Sequence, residues 1–91
     1  MDATYLKTFL IDVTKAKNRL SNEGRPARYI VLNPTDHTFI KTQLVAGVAV
    51  IGGGLTLQGI PAGPDPQVAA DKFRLIDAEG TVAFDSATID R

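Results

Sequence analysis

The stretch Arg28-Tyr29-Ile30-Val31-Leu32-Asn33-Pro34-Thr35-Asp36-His37-Thr38-Phe39-Ile40-Lys41-Thr42-Gln43-Leu44 decides the fold. Its first part, Tyr29 to Leu32, is continuously apolar and rich in strand formers, so it predicts a central strand over 27–33 covered on both faces. Asn33 is a strong helix N-cap, and Pro34 suits the first helical position because its missing N–H would have no partner there. A helix over 34–44 follows, with Phe39, Ile40, Gln43 and Leu44 on its inner face and His37 and Lys41 on its outer face.

Upstream, Tyr5, Leu6, Phe9, Leu10, Val13, Ala16 and Leu20 recur at three- and four-residue steps and predict a helix over 3–22. Asp2 is its N-cap, Gly24 suits its C-terminal stop, and Pro26 prevents continuation. Downstream, 45–58 reads as a hairpin about Gly52-Gly53-Gly54. Pro61-Ala62-Gly63-Pro64-Asp65-Pro66 opens an exposed Pro/Gly loop over 61–71. A second hairpin is expected over 72–85, with Asp77 opening a type I turn and Gly80 supplying its bulge. Ser86 to Arg91 either fray or continue as an edge strand. These pieces make one domain, 1–91, of the α+β class: a small mixed or antiparallel sheet with an N-terminal helix and one strand-to-helix unit packed on it.

Composition narrows the functions. The 91 residues carry ten basic and ten acidic side chains, for a net charge of zero. No overall basic field is present to hold phosphates, which argues against nucleic acid. The one basic concentration, Lys15, Lys17, Arg19, Arg25 and Arg28, lacks the aromatic ladder of single-strand binders and reads as a solvated helix end. There is no cysteine, which removes disulfides and thiolate metal sites. The apolar run 44–51 is too short to span a bilayer, and the N-terminus lacks a basic leader region, so a protein made and kept in the cytoplasm is the expectation.

No catalytic constellation emerges. The single histidine, His37, would need Ser21 or Ser86 beside it to form a triad, and neither serine sits in a nucleophile elbow. The glycines at 52–54 and 59 lack the lysine and the following helix of a phosphate loop. Asp65, Asp71, Asp77, Glu79 and Asp85 do not match a calcium loop. No enzyme activity, cofactor, metal or small-molecule substrate is therefore expected.

Two segments in order carry a resemblance. Tyr29-Ile30-Val31-Leu32-Asn33-Pro34-Thr35-Asp36-His37 is followed by Leu55-Thr56-Leu57-Gln58-Gly59-Ile60-Pro61-Ala62 and the Pro/Gly run 63–66. This arrangement resembles the major capsid proteins of tailed bacteriophages and related head proteins, where a strand ends in Asn-Pro, opens a helix and is later followed by Gly-Leu/Ile-Pro. The chain lacks the extended arm and long spine helix of that family, and the hairpin over 73–84 does not align with it, so the likeness is to an axial-domain portion standing alone or to a small related head protein. The resemblance implies a non-enzymatic structural protein of the virion, made in the host cytoplasm. Its implied partners are copies of itself or other phage head proteins, met through Gly52, Gly53, Gly54, Pro61, Gly63, Pro64, Asp65 and Pro66. The alternative is an independent ligand-binding or regulatory module with its site near Asn33 and Gly52–Gly54.

Overall fold

The computed structural model describes residues 1–88; Ile89, Asp90 and Arg91, the end of the expected tail 86–91, lie outside the described residues. The order of elements is α1 (Ala3–Asn22), β1 (Tyr29–Leu32), α2 (Pro34–Ile40), β2 (Val48–Ile51), β3 (Gly54–Leu57), β4 (Ile60–Pro64), β5 (Phe73–Ile76) and β6 (Val82–Asp85), then a 3-10 turn at Ser86–Thr88. The strands form one six-stranded sheet in the order β2-β3-β4-β1-β5-β6. Strand β1 runs parallel to β4 and antiparallel to β5, so the sheet is mixed and the α+β expectation is met.

Local chemistry explains both helices. The Asp2 carboxylate accepts the Tyr5 N–H at 2.8 Å and caps α1. At the other end the Arg25 N–H reaches the Leu20 carbonyl and the Gly24 N–H reaches that of Ser21, with Gly24 at φ +77°. This paired pattern needs a left-handed residue, which glycine supplies without strain. Asn33 caps α2 by accepting the Thr35 N–H at 2.9 Å. The helix stops at Ile40 rather than Leu44 because Thr42 and Gln43 fold back with i to i−3 bonds, and the Thr42 hydroxyl occupies the Phe39 carbonyl. Leu44 is consequently not an inner-face residue; it is fully exposed.

A single core lies on one face of the sheet. Leu6, Phe9, Leu10, Val13, Ala16 and Leu20 of α1 and Ile40 of α2 pack with Ile30, Leu32, Leu55, Leu57, Ile60, Ala62, Phe73 and Leu75. Phe9 meets Phe73 edge-on at 5.4 Å, and Phe73 stacks with Phe84 at 5.5 Å. The opposite face carries Tyr29, Val31, Ile51, Thr56, Ile76 and Val82, all exposed or half-buried. Strand β1 is thus central, as its sequence indicates, but covered on one face only. Its unbroken apolar run does not mark a doubly buried strand.

The largest correction concerns 61–71. Pro61, Ala62, Gly63 and Pro64 are not loop: they belong to β4, an internal strand. Pro61 precedes the first parallel pair, Ile30 with Ala62, and Pro64 has no β3 residue opposite it. Pro61 lies opposite Thr56 within the β3–β4 ladder, but one step from the hydrogen-bonded pair that closes the β3–β4 turn, so its missing N–H faces β1 ahead of the parallel ladder. That of Pro64 falls beyond the last β3 pair, and neither costs a ladder bond. Gly63 is buried beneath the Tyr29 ring, whose hydroxyl occupies the space a Cβ would take. Between β3 and β4, Gln58 (φ +50°) and Gly59 (φ +83°) form a two-residue turn of type I′. The Lys17 ammonium donates to the Gln58 carbonyl and ties this turn to α1.

Candidate functional site

The pairing registers bring most of the sequence-selected residues to one end of the sheet. Strand β2 ends there and β3 begins there, at Ile51 and Gly54. Strands β1 and β4 also end there, at Leu32 and Pro64. The tip Gly52-Gly53, Gly54 and the run Pro64-Asp65-Pro66 therefore emerge at the same end. Pro61 lies at the far end of β4 and Gly63 is covered, so these two do not join the group. Gly52 (φ +59°) and Gly53 (φ +83°) make a second type I′ turn, and the Lys41 ammonium donates to the Gly53 carbonyl at 3.0 Å. Asp65 donates its N–H to the Leu32 carbonyl and accepts the Gln67 N–H, an arrangement that turns the chain away from the sheet.

Beside this tip lies a feature absent from the sequence-derived set. Among the described residues, four of the seven exposed large apolar side chains fall in one span: Leu44, Val45, Val50 (47 % exposed) and Ile51 (72 % exposed); Ile11, Tyr29 and Val82 lie elsewhere. Ala49 is exposed as well. Together they form the outer edge strand and its approach, a run with no charged residue from Leu44 to Ile51. A shallow groove lined by Leu10, Ile11, Thr14 and Ala46, with Lys7, Lys15 and Gln58 also in its wall, runs alongside. The signal in the sequence was the uncharged run itself, which also fits a buried strand.

The polar residues elsewhere act within the fold. Asp36, 2 % exposed, accepts the Asp71 N–H at 2.7 Å, which holds Asp71 at φ +65°. The Met1 amino group lies 3.7 Å from Asp36 and 3.4 Å from Asp71, and its hydrogen bond to Asp71 leads the causes that raise its pKa. Asp36 passed unnoticed as a buried group because acidic residues in a first helical turn are ordinarily solvated. Burial and then Lys41 lower the His37 pKa, and a hydrogen bond to the Ala62 backbone opposes them. The Ser86 hydroxyl accepts the Phe73 N–H. Lys17, Arg19 and Arg25 of the basic cluster each have an internal partner: the Gln58 carbonyl, Glu23 and Asp77. Among the described residues no group of three or more His, Cys, Asp or Glu could hold a metal, and no helix is long and apolar enough to cross a membrane.

A cleft of about 370 Å³ opens between α1 and the β5–β6 side. Phe9, Phe73 and Phe84 line it, with Tyr5, Lys15 and Lys72 among its other residues. It is not the site near Asn33 and Gly52–Gly54 that the sequence suggested for a ligand. Comparison of the chain with protein-family models, curated proteins and solved structures finds no match in any of the three.

Proposed function

We propose that this chain is a non-enzymatic structural module of a bacteriophage particle, similar to a capsid axial domain, acting through contacts with copies of itself or with other head proteins. The observation that carries the assembly part is the uncharged, exposed segment Leu44–Ile51, with Val50 and Ile51 outward at the margin of the sheet. Soluble domains ordinarily protect such a margin with charge, proline or a covering element, and an unprotected one marks an interaction site. The phage part rests on the ordered pair of segments 29–37 and 55–66. Zero net charge is compatible with close packing of identical subunits, because it imposes little long-range repulsion.

Sedimentation over a concentration series, combined with binding to purified heads of the producing phage, tests the proposal. Mass rising above one chain, or capture by heads, is expected. A chain that stays monomeric throughout and ignores the heads overturns it.

A second reading, a ligand-binding module, is favoured by the cleft beside α1. Its size falls within the range of small-molecule sites, and its lining combines Tyr5 and Phe84 with charged side chains of both signs, Asp12, Lys15, Arg19, Asp71 and Lys72. A small-molecule thermal shift abolished by Phe84→Ala would support it.

A further inference from the structure

We infer that the β2 edge is a two-fold pairing site for a second copy of this chain, antiparallel and centred on Val50. The inference rests on the assembly reading above and supplies its geometry.

The argument begins with hydrogen-bond parity. A two-residue hairpin loop closes on a hydrogen-bonded pair, here Ile51 and Gly54, so Ala49 and Thr56 form the next such pair. Two observations agree with this phase. The Gln58 N–H donates to the Gly47 carbonyl at 2.8 Å, which continues the alternation by one more step. The Val48 N–H donates to Val45 rather than to β3. In a trans peptide the C=O and the following N–H point opposite ways. Four backbone groups therefore face the open edge: the Val48 carbonyl, the Val50 N–H and carbonyl, and the Gly52 N–H.

Those four groups are self-complementary. With Val50 opposite Val50 of a second copy, the two valines exchange a pair of N–H···O bonds. Each Gly52 N–H then meets the other chain's Val48 carbonyl, for four bonds in all. In this register Ala49 faces Ile51 of the other copy on the open face of the sheet, a small side chain against a large one. Val50 shares the core-side face with its β3 partner Leu55 and would meet its own counterpart there. No charged residue occurs between Leu44 and Gly54, so the paired strands themselves bring no like charges together; the Lys41 ammonium, held on the Gly53 carbonyl, is the charge beside the tip. The two-fold closes the assembly as a dimer joined through a continuous twelve-stranded sheet. Four-residue strands bury less than the roughly 800 Å² per partner of a standard interface, so dissociation constants of about micromolar or weaker are expected.

The native chain has no cysteine, so single cysteines give a clean register test. Val50→Cys, Ala49→Cys and Ile51→Cys are oxidised separately at a concentration where the wild type sediments as a dimer. The register predicts that covalent dimer forms fastest at position 50. It also predicts that an equimolar mixture of the Ala49→Cys and Ile51→Cys chains cross-links faster than either alone. Val50→Pro removes an outward N–H without touching the β2–β3 ladder, so it should weaken dimerisation about tenfold or more while unfolding stays cooperative. Val50→Lys provides a second disruption should the proline perturb the hairpin. Dimers that persist in both variants, with no cross-linking preference at 50, overturn edge pairing and leave another self-association surface. A chain that binds phage heads but never pairs with itself overturns this inference alone. A chain that does neither overturns the assembly reading with it.

Discussion

The two margins of the sheet are built by opposite means. Strand β6, the outer strand of the β5–β6 hairpin, is closed. A bulge shifts its register at Leu75/Ile76, Arg74 bonds Asp85 across the pair at 3.0 Å, and the chain turns into the 3-10 segment Ser86–Thr88. The Ser86 hydroxyl also takes the Phe73 N–H. Strand β2, at the other margin, has none of these devices, and its hairpin turns on two bare glycines. Bulges, charges and abrupt ends are how edge strands are kept from pairing with other chains. Their presence on one margin and absence from the other leaves β2 as the edge at which pairing is proposed, and a single such edge would close an assembly as a pair rather than an open filament.

The largest test of this comparison removes what anchors the closed margin. Phe73 lies between Phe9 of α1 and Phe84 of β6 and is almost fully buried. Phe73→Ala should cost about 3–5 kcal/mol, because a core aromatic is lost and the space is only partly refilled. Urea unfolding reads the loss. If the β2 margin forms independently of this packing, hydrogen exchange at Gln58, whose N–H bonds Gly47, should change less than at Phe84. A loss below about 1 kcal/mol would mean that the aromatic stack does not hold β6 in place.

A smaller effect comes from the turn that joins β5 to β6. The Asp77 carboxylate accepts the Glu79 and Thr81 N–H groups, each at 3.0 Å, and meets Arg25 at 3.3 Å. The Thr81 N–H bond is the leading cause that lowers its pKa; burial opposes, and the Glu79 N–H and Arg25 add to the lowering. Because the folded value lies below the unfolded one, the unfolded chain binds more protons as the solution becomes acid. The contribution is therefore complete above the ordinary aspartate range, near pH 3.9, and is lost as pH falls through the lowered folded value. Asp77→Asn should flatten that part of the stability–pH curve relative to wild type. Curves of the same shape would show that the carboxylate charge does not contribute to the turn. No comparable dependence is expected from the β2–β3 turn, which contains no titratable side chain.

The contrast between margins also shows what could be read from residue types and what could not. Capping at Asp2 and Asn33, the stop at Gly24 and the Asp77–Gly80 turn are local chemistry, and each was legible; β1 is central, but not for the double burial its apolar run suggests. Strand β4 was not, because Pro61, Gly63 and Pro64 carry loop signals locally. Only the register shows that both prolines fall where no ladder bond is lost and that Tyr29 covers the glycine. The Gln58-Gly59 turn was missed for the same reason, since a strand rich in proline hid the hairpin to which it belongs. Of the proposed contact residues, the glycine tip and 64–66 emerge at one end of the sheet, whereas Pro61 lies at the other end of β4 and Gly63 is covered by Tyr29. The apolar edge lay unrecognised in 44–51 because an uncharged run reads equally well as core; which strand ends up outermost depends on the pairing of all six.

The smallest expected effect sharpens the comparison at the open hairpin. Gly52 sits at φ +59°, a conformation asparagine tolerates, and a Cβ there would meet nothing within 4 Å. Gly52→Asn should stabilise the fold by a few tenths of a kcal/mol, up to about 1, mainly by restricting the unfolded chain. It also produces Asn-Gly, the preferred pair for this turn. Gly53, at φ +83°, behaves differently: a β-branched residue is strained there, and Gly53→Val should cost about 1–2 kcal/mol although its Cβ also meets open space. Thermal unfolding of the two variants separates these signs. Asparagine keeps the backbone N–H at position 52, so the stabilised variant should self-associate as readily as wild type. If Gly52→Asn stabilises the hairpin and also abolishes association, the edge acts through flexibility of the glycine tip rather than through its outward hydrogen-bonding groups.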